Sequence, residues 1–590
     1  MASVYLAEID CYLGGTSATT NTVGPGARTW TYLGPRPLPG MRLRAEQQGQ
    51  AGVWVEGTVL AATATTVTLL VTATAGSGSV GAWVFTTGTL RFTSGRGYTH
   101  PSAPGPYEAR ILQPALFRRD IFDQGKTGGA SRIGWGALTL ANIDGGLDPM
   151  VDYAFDGRRF VLRVGDGKAP YGGFATMLHG TLEQAVFTWT DVSLRLRDRQ
   201  EELDKPIQTD KYAGNNQPPD GLEGTELDIK GRPKALAYGD VRNAAVVCVN
   251  APKLIYHANA EGVNVVWDVY DRGSALARGT AYASPAALLD DAQKPAAGSF
   301  RYHPASGHLR LGSTPAGLVT ADFFVGAGSA QRTVAQVVET IITTRGGLTA
   351  ADLVDADVAA LDAVAPYTVG LWIGGETPIR SVLDELCASV GAWWGFDRFG
   401  RFRIRRFEAP AGPPALTIRR FATGAAAQAA EGDILKLERR PSNDSGRGVE
   451  AHTLILHYDR NWTVQSTDLA EGVTTARRAF LSEEWRKATA TDAAVKAAHP
   501  LAEEREAFSL LTDPGAAQGE ASRLLALHKV RRDRIKATVR FGAAIAGSID
   551  LGDVVKLEFP RFGCDAGKLF RLTGMQYDAA RHLVDLDLWG

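Results

Sequence analysis

The sequence predicts a mainly β, multidomain chain with inserted helices, and three observations predict it. The 66 Gly and 28 Pro punctuate nearly all of the 590 residues, so the segments between turns are short. Those segments mostly alternate apolar and polar residues with a period of two. A helical period surfaces in only a few stretches. The balance of 44% hydrophobic and 22% charged residues is that of an ordinary globular protein rather than a disordered one.

From the N-terminus, residues 1–39 and 96–118 read as a β segment. Its first residues run into an alternating apolar pattern without the basic head and apolar core of a signal peptide, so synthesis and assembly in a cytoplasm are expected. Between the two parts, residues 40–95 read as a small inserted β module. Its strands are Trp54–Val59, Thr66–Thr72 and Trp83–Phe85, and the strand-like flanks are Trp30–Leu33 and Leu90–Phe92. Residues 105–210 form a first β-barrel-like domain, in which Val192, Leu194 and Leu196 face inward and Ser193, Arg195 and Arg197 outward. A β-rich linking domain follows at 211–330.

Residues 331–440 read as an α+β domain with two amphipathic helices. Thr333 and Gln336 are spaced as a capping box before Val334, Val337, Val338, Ile341 and Ile342, and Gly346-Gly347 stops that helix. Ile379, Val382, Leu383, Leu386, Cys387 and Val390 make a second stripe, ended by Gly391. Residues 441–590 form a second β-barrel-like domain, with a helix opened by the N-cap Asp513 and first-turn Pro514. Its last strand places Val584, Leu586 and Leu588 inward and Asp585 and Asp587 outward. The order of strand, glycine-rich break, strand and hairpin is shared by Arg159–Arg197 and Asp553–Trp589, which predicts an internal duplication.

The charge balance excludes a dedicated nucleic-acid binder: 63 Lys+Arg against 64 Asp+Glu gives a net charge of −1, without the basic excess such proteins carry. No apolar run reaches the roughly 18–20 residues that span a bilayer. Cys11, Cys248, Cys387 and Cys564 are too far apart for a zinc or iron–sulfur motif and read as buried thiols.

Motifs for chemistry are weak. Gly76-Ser-Gly-Ser-Val-Gly81 matches a dinucleotide fingerprint by letter but leads into another strand, so no helix N-terminus receives a pyrophosphate. Asp144, Asp148 and Asp152 read as turn formers rather than a cation loop. Glu183 and Asp191 form no distinctive acid pair. The sequence therefore predicts no enzyme, no cofactor and no metal. Trp54 and Trp83 are the candidate glycan-facing aromatics, with Phe85, Tyr98 and Tyr107 nearby, although a module of this size needs tryptophans for its own core.

Several stretches resemble the central hub of phage tail tips and baseplates. They are Gln113–Asp120 with Thr127–Gly136, Leu138–Asp148 and Tyr153–Gly157; Leu227–Asn243; the helix pair from Thr333 to Gly391 leading into Ala392–Arg403; Tyr458–Trp462; and Leu551–Val555 with Pro560–Gly563 and Gly567–Arg571. Together they span about residues 105–590, and their order along the chain carries the resemblance. Residues 40–95 are similar to a small β module of tail and fibre proteins.

The resemblance implies a structural homotrimer at the tail tip or baseplate of a phage, prophage or gene-transfer particle. Its two β-barrel-like domains would resemble tail-tube domains, so that three chains offer six near-equivalent surfaces to a six-fold tube and three-fold symmetry to fibres or a spike. The implied partners are the tail-tube and distal tail proteins, the tape-measure protein, and peripheral baseplate and fibre proteins, with transient passage of DNA through a lumen. The cysteine group of iron–sulfur tail-tip proteins is missing. The end of the chain at Trp589-Gly590 leads us to expect receptor recognition in other chains. The alternative expectation is a carbohydrate-binding tail adhesin.

Overall fold

The computed structural model describes residues 3–122, 127–216, 221–326, 332–420, 434–440, 449–540 and 549–590. The protein is β-rich, with 45% strand and 16% helix, in several sheets of which none is closed among the described residues. The expected domain borders at 330/331 and 440/441 fall at or beside residues outside those described.

The largest sheet gathers strands from both ends of the chain. In the N-terminal part these are β1 (Ser3–Ser17), β2 (Gly26–Thr31), β3 (Arg42–Gln47), β4 (Gln50–Ala62), β5 (Thr66–Ala75) and β6 (Trp83–Thr93). They pair in the order β2-β5-β4-β3-β6-β1. Because β6 pairs with both β3 and β1, the inserted module continues the sheet of the body. Trp30, Val55, Leu69, Trp83 and Phe85 share one apolar core with the body's Leu194, Leu586 and Trp589.

Two five-strand sheets repeat within this large sheet. The first has β7 (Ile111–Asp120), β8 (Trp135–Ala141), β9 (Arg159–Asp166), β10 (Ala175–Phe187) and β11 (Asp191–Arg197). Its spatial order is β9-β10-β11-β8-β7, antiparallel throughout. The C-terminal part adds β12 (Leu416–Arg419), then β13 (Ile434–Arg440), β14 (Arg534–Arg540), β15 (Val554–Glu558), β16 (Lys568–Asp578) and β17 (Leu583–Trp589). The last five take the same order, β15-β16-β17-β14-β13, again antiparallel.

The likeness extends to single hydrogen bonds. The Gly157 N–H donates to Leu182 O and the Leu182 N–H to Arg158 O, both at 2.9 Å; the Gly552 N–H donates to Leu572 O and the Leu572 N–H to Asp553 O at the same distance. A register shift follows both leucines, before Gln184 and before Gly574. The duplication expected from the sequence thus has a shared topology. Among the described residues neither barrel-like repeat closes on itself: β7 turns its outer edge to β16 of the second repeat rather than to its own β9.

Alternation explains the burial of these strands. Val192, Leu194 and Leu196 are buried while Arg195 is exposed. Val584, Leu586 and Leu588 are buried as expected, but Asp587 is buried too, at 8% exposure, because arginines from two other strands cover it.

The middle of the chain packs separately. Sheets containing Leu236–Ala245, Val265–Asp271 and Val319–Val325, and Ile255–His257, Ser299–His303 and His308–Leu311, enclose a core of Val241, Val269, Phe300, Leu309 and Phe323. Gly370–Ile373, expected in the α+β domain, adds an edge strand by pairing with Leu236–Gly239. Helices α1 (Val334–Thr344), α2 (Asp355–Val364) and α3 (Ile379–Ala388) share another core with Trp394 and Phe402.

The N-cap of α1 is Thr333, whose hydroxyl accepts the Gln336 N–H. The Gln336 carboxamide reaches past Thr333 to the Arg332 N–H at 3.3 Å, so the capping box is offset by one residue. Helix α4 (Pro514–His528) begins at Asp513 as expected and covers a three-strand sheet of Ala451–Tyr458, Arg486–Thr491 and Glu503–Phe508. This unit lies between β13 and β14 in sequence, so the second repeat is interrupted where the first has a short connection.

Candidate functional site: the repeat edges

The two repeats of the duplicated sheet differ in the contacts made at their edges. The contact made is the antiparallel junction of β7 with β16: Leu116 faces Asp578, Phe117 faces Tyr577, Arg118 faces Gln576, Arg119 faces Met575 and Asp120 faces Gly574. A Cβ on Gly574 would lie 2.3 Å from Asp120 Oδ1, so glycine is what allows the close approach.

Charge locks the junction. The Arg118 guanidinium donates from Nε to Asp120 Oδ2 at 2.8 Å, and from Nη2 to Asp120 Oδ1 at 2.6 Å and Asp587 Oδ2 at 2.9 Å. Burial pushes the Asp120 carboxyl above its ordinary range, opposed by Arg118. Arg119, 5% exposed, donates to Asp550 at 2.6 Å and also to the Phe396 carbonyl, which ties the junction to the α+β domain. Nearby, Asp198 accepts the Gly134 N–H at 2.6 Å and the Gln200 N–H at 3.0 Å, and burial raises its pKa to about 6.

Superposing the two register sets makes Arg440 the counterpart of Arg118, and Val186 the counterpart of Gln576. Among the described residues, β13 pairs only with β14, and residues Gln184–Phe187 of β10 pair only with β11. The edges that would repeat the β7–β16 junction are therefore both unpaired among the described residues. Long open edges are templates for further strand pairing.

The hairpin tips differ in the same sense. In the second repeat, Ala579 is 4% exposed; its N–H donates to Ala115 O at 3.4 Å and its carbonyl accepts the Tyr5 hydroxyl at 3.0 Å. In the first repeat, the tip between β10 and β11 carries Trp189, 93% exposed. Ile143 adjoins it at 81% exposure, since the Asn142 N–H bonds Thr190 O. Trp189 and Ile143 thus put two exposed apolar side chains at the tip beside the unpaired part of β10.

The sequence-derived candidates lie elsewhere. Trp83 is 1% exposed and packs edge-on against Trp30 at 5.9 Å, so neither ring face is open to a glycan. Trp54 is half-buried under the Arg44 guanidinium at 4.1 Å. Phe85, Tyr98 and Tyr107 are buried as well. Glu183 is paired with Arg197 at 2.9 Å, at the opposite end of the hairpin from Asp191.

Asp144 accepts the Gly146 N–H and pairs with Arg110, as a turn former does, and Asp148 accepts a hydrogen bond from Asn142. Gly76–Gly81 joins two strands. Among the described residues, no cluster of three or more His, Cys, Asp or Glu is placed to hold a metal, and no helix is long and apolar enough to cross a membrane. The four cysteines are free, Cys248 half-buried and the rest buried.

Sequence reasoning passed over Trp189, whose signal was a tryptophan in a hairpin turn flanked by two threonines. It also gave Arg118 no role within Gln113–Asp120, because one of its partners, Asp587, lies 469 positions away.

No family model matches the sequence, and no curated protein matches it. Solved structures with a similar arrangement include a tail protein from Neisseria meningitidis (10% identity, TM-score 0.34), matched over 80% of this chain and 90% of that one. A 43 kDa tail protein of prophage MuSo2 from Shewanella oneidensis matches over 82% and 95% (11% identity, TM-score 0.36). The prophage tail protein gp18 from Listeria monocytogenes matches over 81% and 94% (8% identity, TM-score 0.33).

Proposed function

We propose that this chain is a structural virion protein, the trimeric hub at the tip or baseplate of a phage-type tail. The observation that carries the proposal is the repeat whose β7–β16 junction is made inside the chain while the equivalent edges, β13 and the distal part of β10, stay open. Applying the same junction between chains joins β13 of one copy to β10 of the next. Such a head-to-tail contact generates a ring when the rotation closes.

Three chains place six similar sheets around one axis. That arrangement matches what the order of hub-like motifs between residues 105 and 590 implies: a six-fold face toward a tail tube and a three-fold face toward fibre or spike proteins. The axis would form part of the route for DNA. A net charge of −1 suits a wall that lets a polyanion pass without holding its phosphates.

The test is mass by light scattering with class averages of the purified chain. A particle of three times 63.0 kDa with a central opening is expected. A monomer at all concentrations overturns the proposal.

A further inference from the structure

A cleft of about 560 Å³ opens where the N-terminal module meets the body, between residues 36–41, the end of β6 and residues 106–110. Three arginines line it, Arg36, Arg91 and Arg110, against one carboxylate, Glu108. Arg110 is already compensated, by Glu108 at 2.7 Å and Asp144 at 2.5 Å. Arg36 is exposed.

Arg91 is the unusual group. It is 7% exposed, and its Nε and Nη1 have no hydrogen-bond partner. It stands opposite Glu8 of β1 in the strand register, yet Glu8 is engaged by others. The Tyr107 hydroxyl donates to it at 2.8 Å, the Tyr171 hydroxyl donates to the same oxygen, and Arg163 and Arg159 lie 3.6 and 3.8 Å away. Burial lowers the affinity of the Arg91 guanidinium for its proton, with Tyr107 and Glu8 opposing that shift. A buried cation with unmatched N–H groups carries an unrecovered desolvation cost, which an anion in the adjoining cleft offsets.

The rest of the lining is largely apolar, including Leu38, Pro39, Met41 and Pro106. A concave cleft of this size, lined by both polar and apolar groups and carrying more arginines than carboxylates, can hold a small anionic ligand. The charge of Arg91 beneath the cleft wall and the exposed Arg36 guanidinium favour an oxyanion as the ligand. We infer that this cleft binds a carboxylate or phosphate group on a small organic body, with Arg91 and Arg36 holding the anion and the apolar wall holding the body.

The test is calorimetric titration of the full chain at low ionic strength with glucuronate, glucose 6-phosphate and uncharged glucose. Saturable binding of one or both anions, with none of glucose, is expected. Glucuronate alone identifies a carboxylate ligand and glucose 6-phosphate alone a phosphate ligand.

Arg91→Gln is expected to abolish binding, and Arg36→Gln, at an exposed position that leaves folding intact, to weaken it about tenfold. Failure of both anions to bind, equal binding of glucose, or unchanged anion affinity in the folded Arg36→Gln protein overturns the inference. Failure of both anions would instead favour an acidic side chain of a partner protein as the occupant.

Discussion

Replacing Trp189 with Ala removes the most exposed aromatic ring on the open side of the first repeat. Trp189 is 93% exposed, so the isolated chain gains almost nothing from it, while the equivalent tip in the second repeat is buried at Ala579. If a neighbouring copy covers the ring as β1 and β7 cover Ala579, the contact removes roughly 150–250 Å² from water. At about 25 cal/mol per Å² that is about 4–6 kcal/mol as an upper figure. Ordering the side chain costs about 1 kcal/mol. A net of about 3 kcal/mol corresponds to more than a hundredfold in dissociation constant at each interface.

The assay is a dilution series by analytical ultracentrifugation with a parallel thermal melt. The variant is expected to dissociate at concentrations where the parent chain is trimeric, while the fold of the separated chain changes by no more than about 0.5 kcal/mol. Assembly of Trp189→Ala identical to the parent refutes the assignment of this tip to the interface.

Three further outcomes follow from the internal contacts. Arg118→Leu leaves Asp120 and Asp587 largely uncompensated at the β7–β16 junction and is expected to cost about 3 kcal/mol of unfolding free energy, read by denaturant titration. Gly574→Val places a branched side chain against Asp120 in that junction and is expected to lower thermal stability by several degrees, whereas Gln184→Val at the open counterpart changes the monomer little.

His257, stacked on His308 at 4.2 Å and hydrogen-bonded to the Tyr212 hydroxyl at 2.8 Å, has its pKa lowered to about 4 by burial and then by Lys234. Its folded value lies below the unfolded one of about 6.5, so the unfolded chain takes up the proton first. Stability is therefore complete above about pH 6.5 and falls as pH drops toward 4. The slope of stability against pH in that window should flatten in His257→Gln, as measured by calorimetry.

Much of the fold was legible because alternation, turn residues and caps are local signals. Val192, Leu194 and Leu196 pointed inward as their period required, and Asp513-Pro514 opened a helix. The duplication was visible as an order of strands around glycine-rich breaks. Pairing partners were not visible. Nothing local states that β7 bonds to β16, more than 450 positions away, instead of returning to β9. Asp587 was placed outward by its phase, and only the tertiary approach of Arg118 and Arg440 buries it.

The exposed tip was hidden for a related reason. Trp54 and Trp83 stand out as aromatics in a peripheral module, but Trp83 fills the module's core and Trp54 lies under Arg44. Trp189 emerged only when the two hairpin tips were compared and one was found covered. An unpaired Arg91 is likewise a property of its surroundings, since Leu90-Arg-Phe reads in sequence as an ordinary strand.

The central claim is that the β7–β16 junction recurs between chains, and cysteine pairing at the equivalent register tests it most directly. Arg440→Cys with Val186→Cys places two thiols at opposed positions of the inter-chain ladder, within disulfide reach. Three of the four native thiols are buried, which keeps the background low. Oxidation of the double variant is expected to give covalent dimers and trimers on a denaturing gel, with little cross-linking in either single variant or in Arg440→Cys with Gln184→Cys. A trimer in solution that does not cross-link at the matched pair, or cross-links equally at the shifted one, contradicts the account.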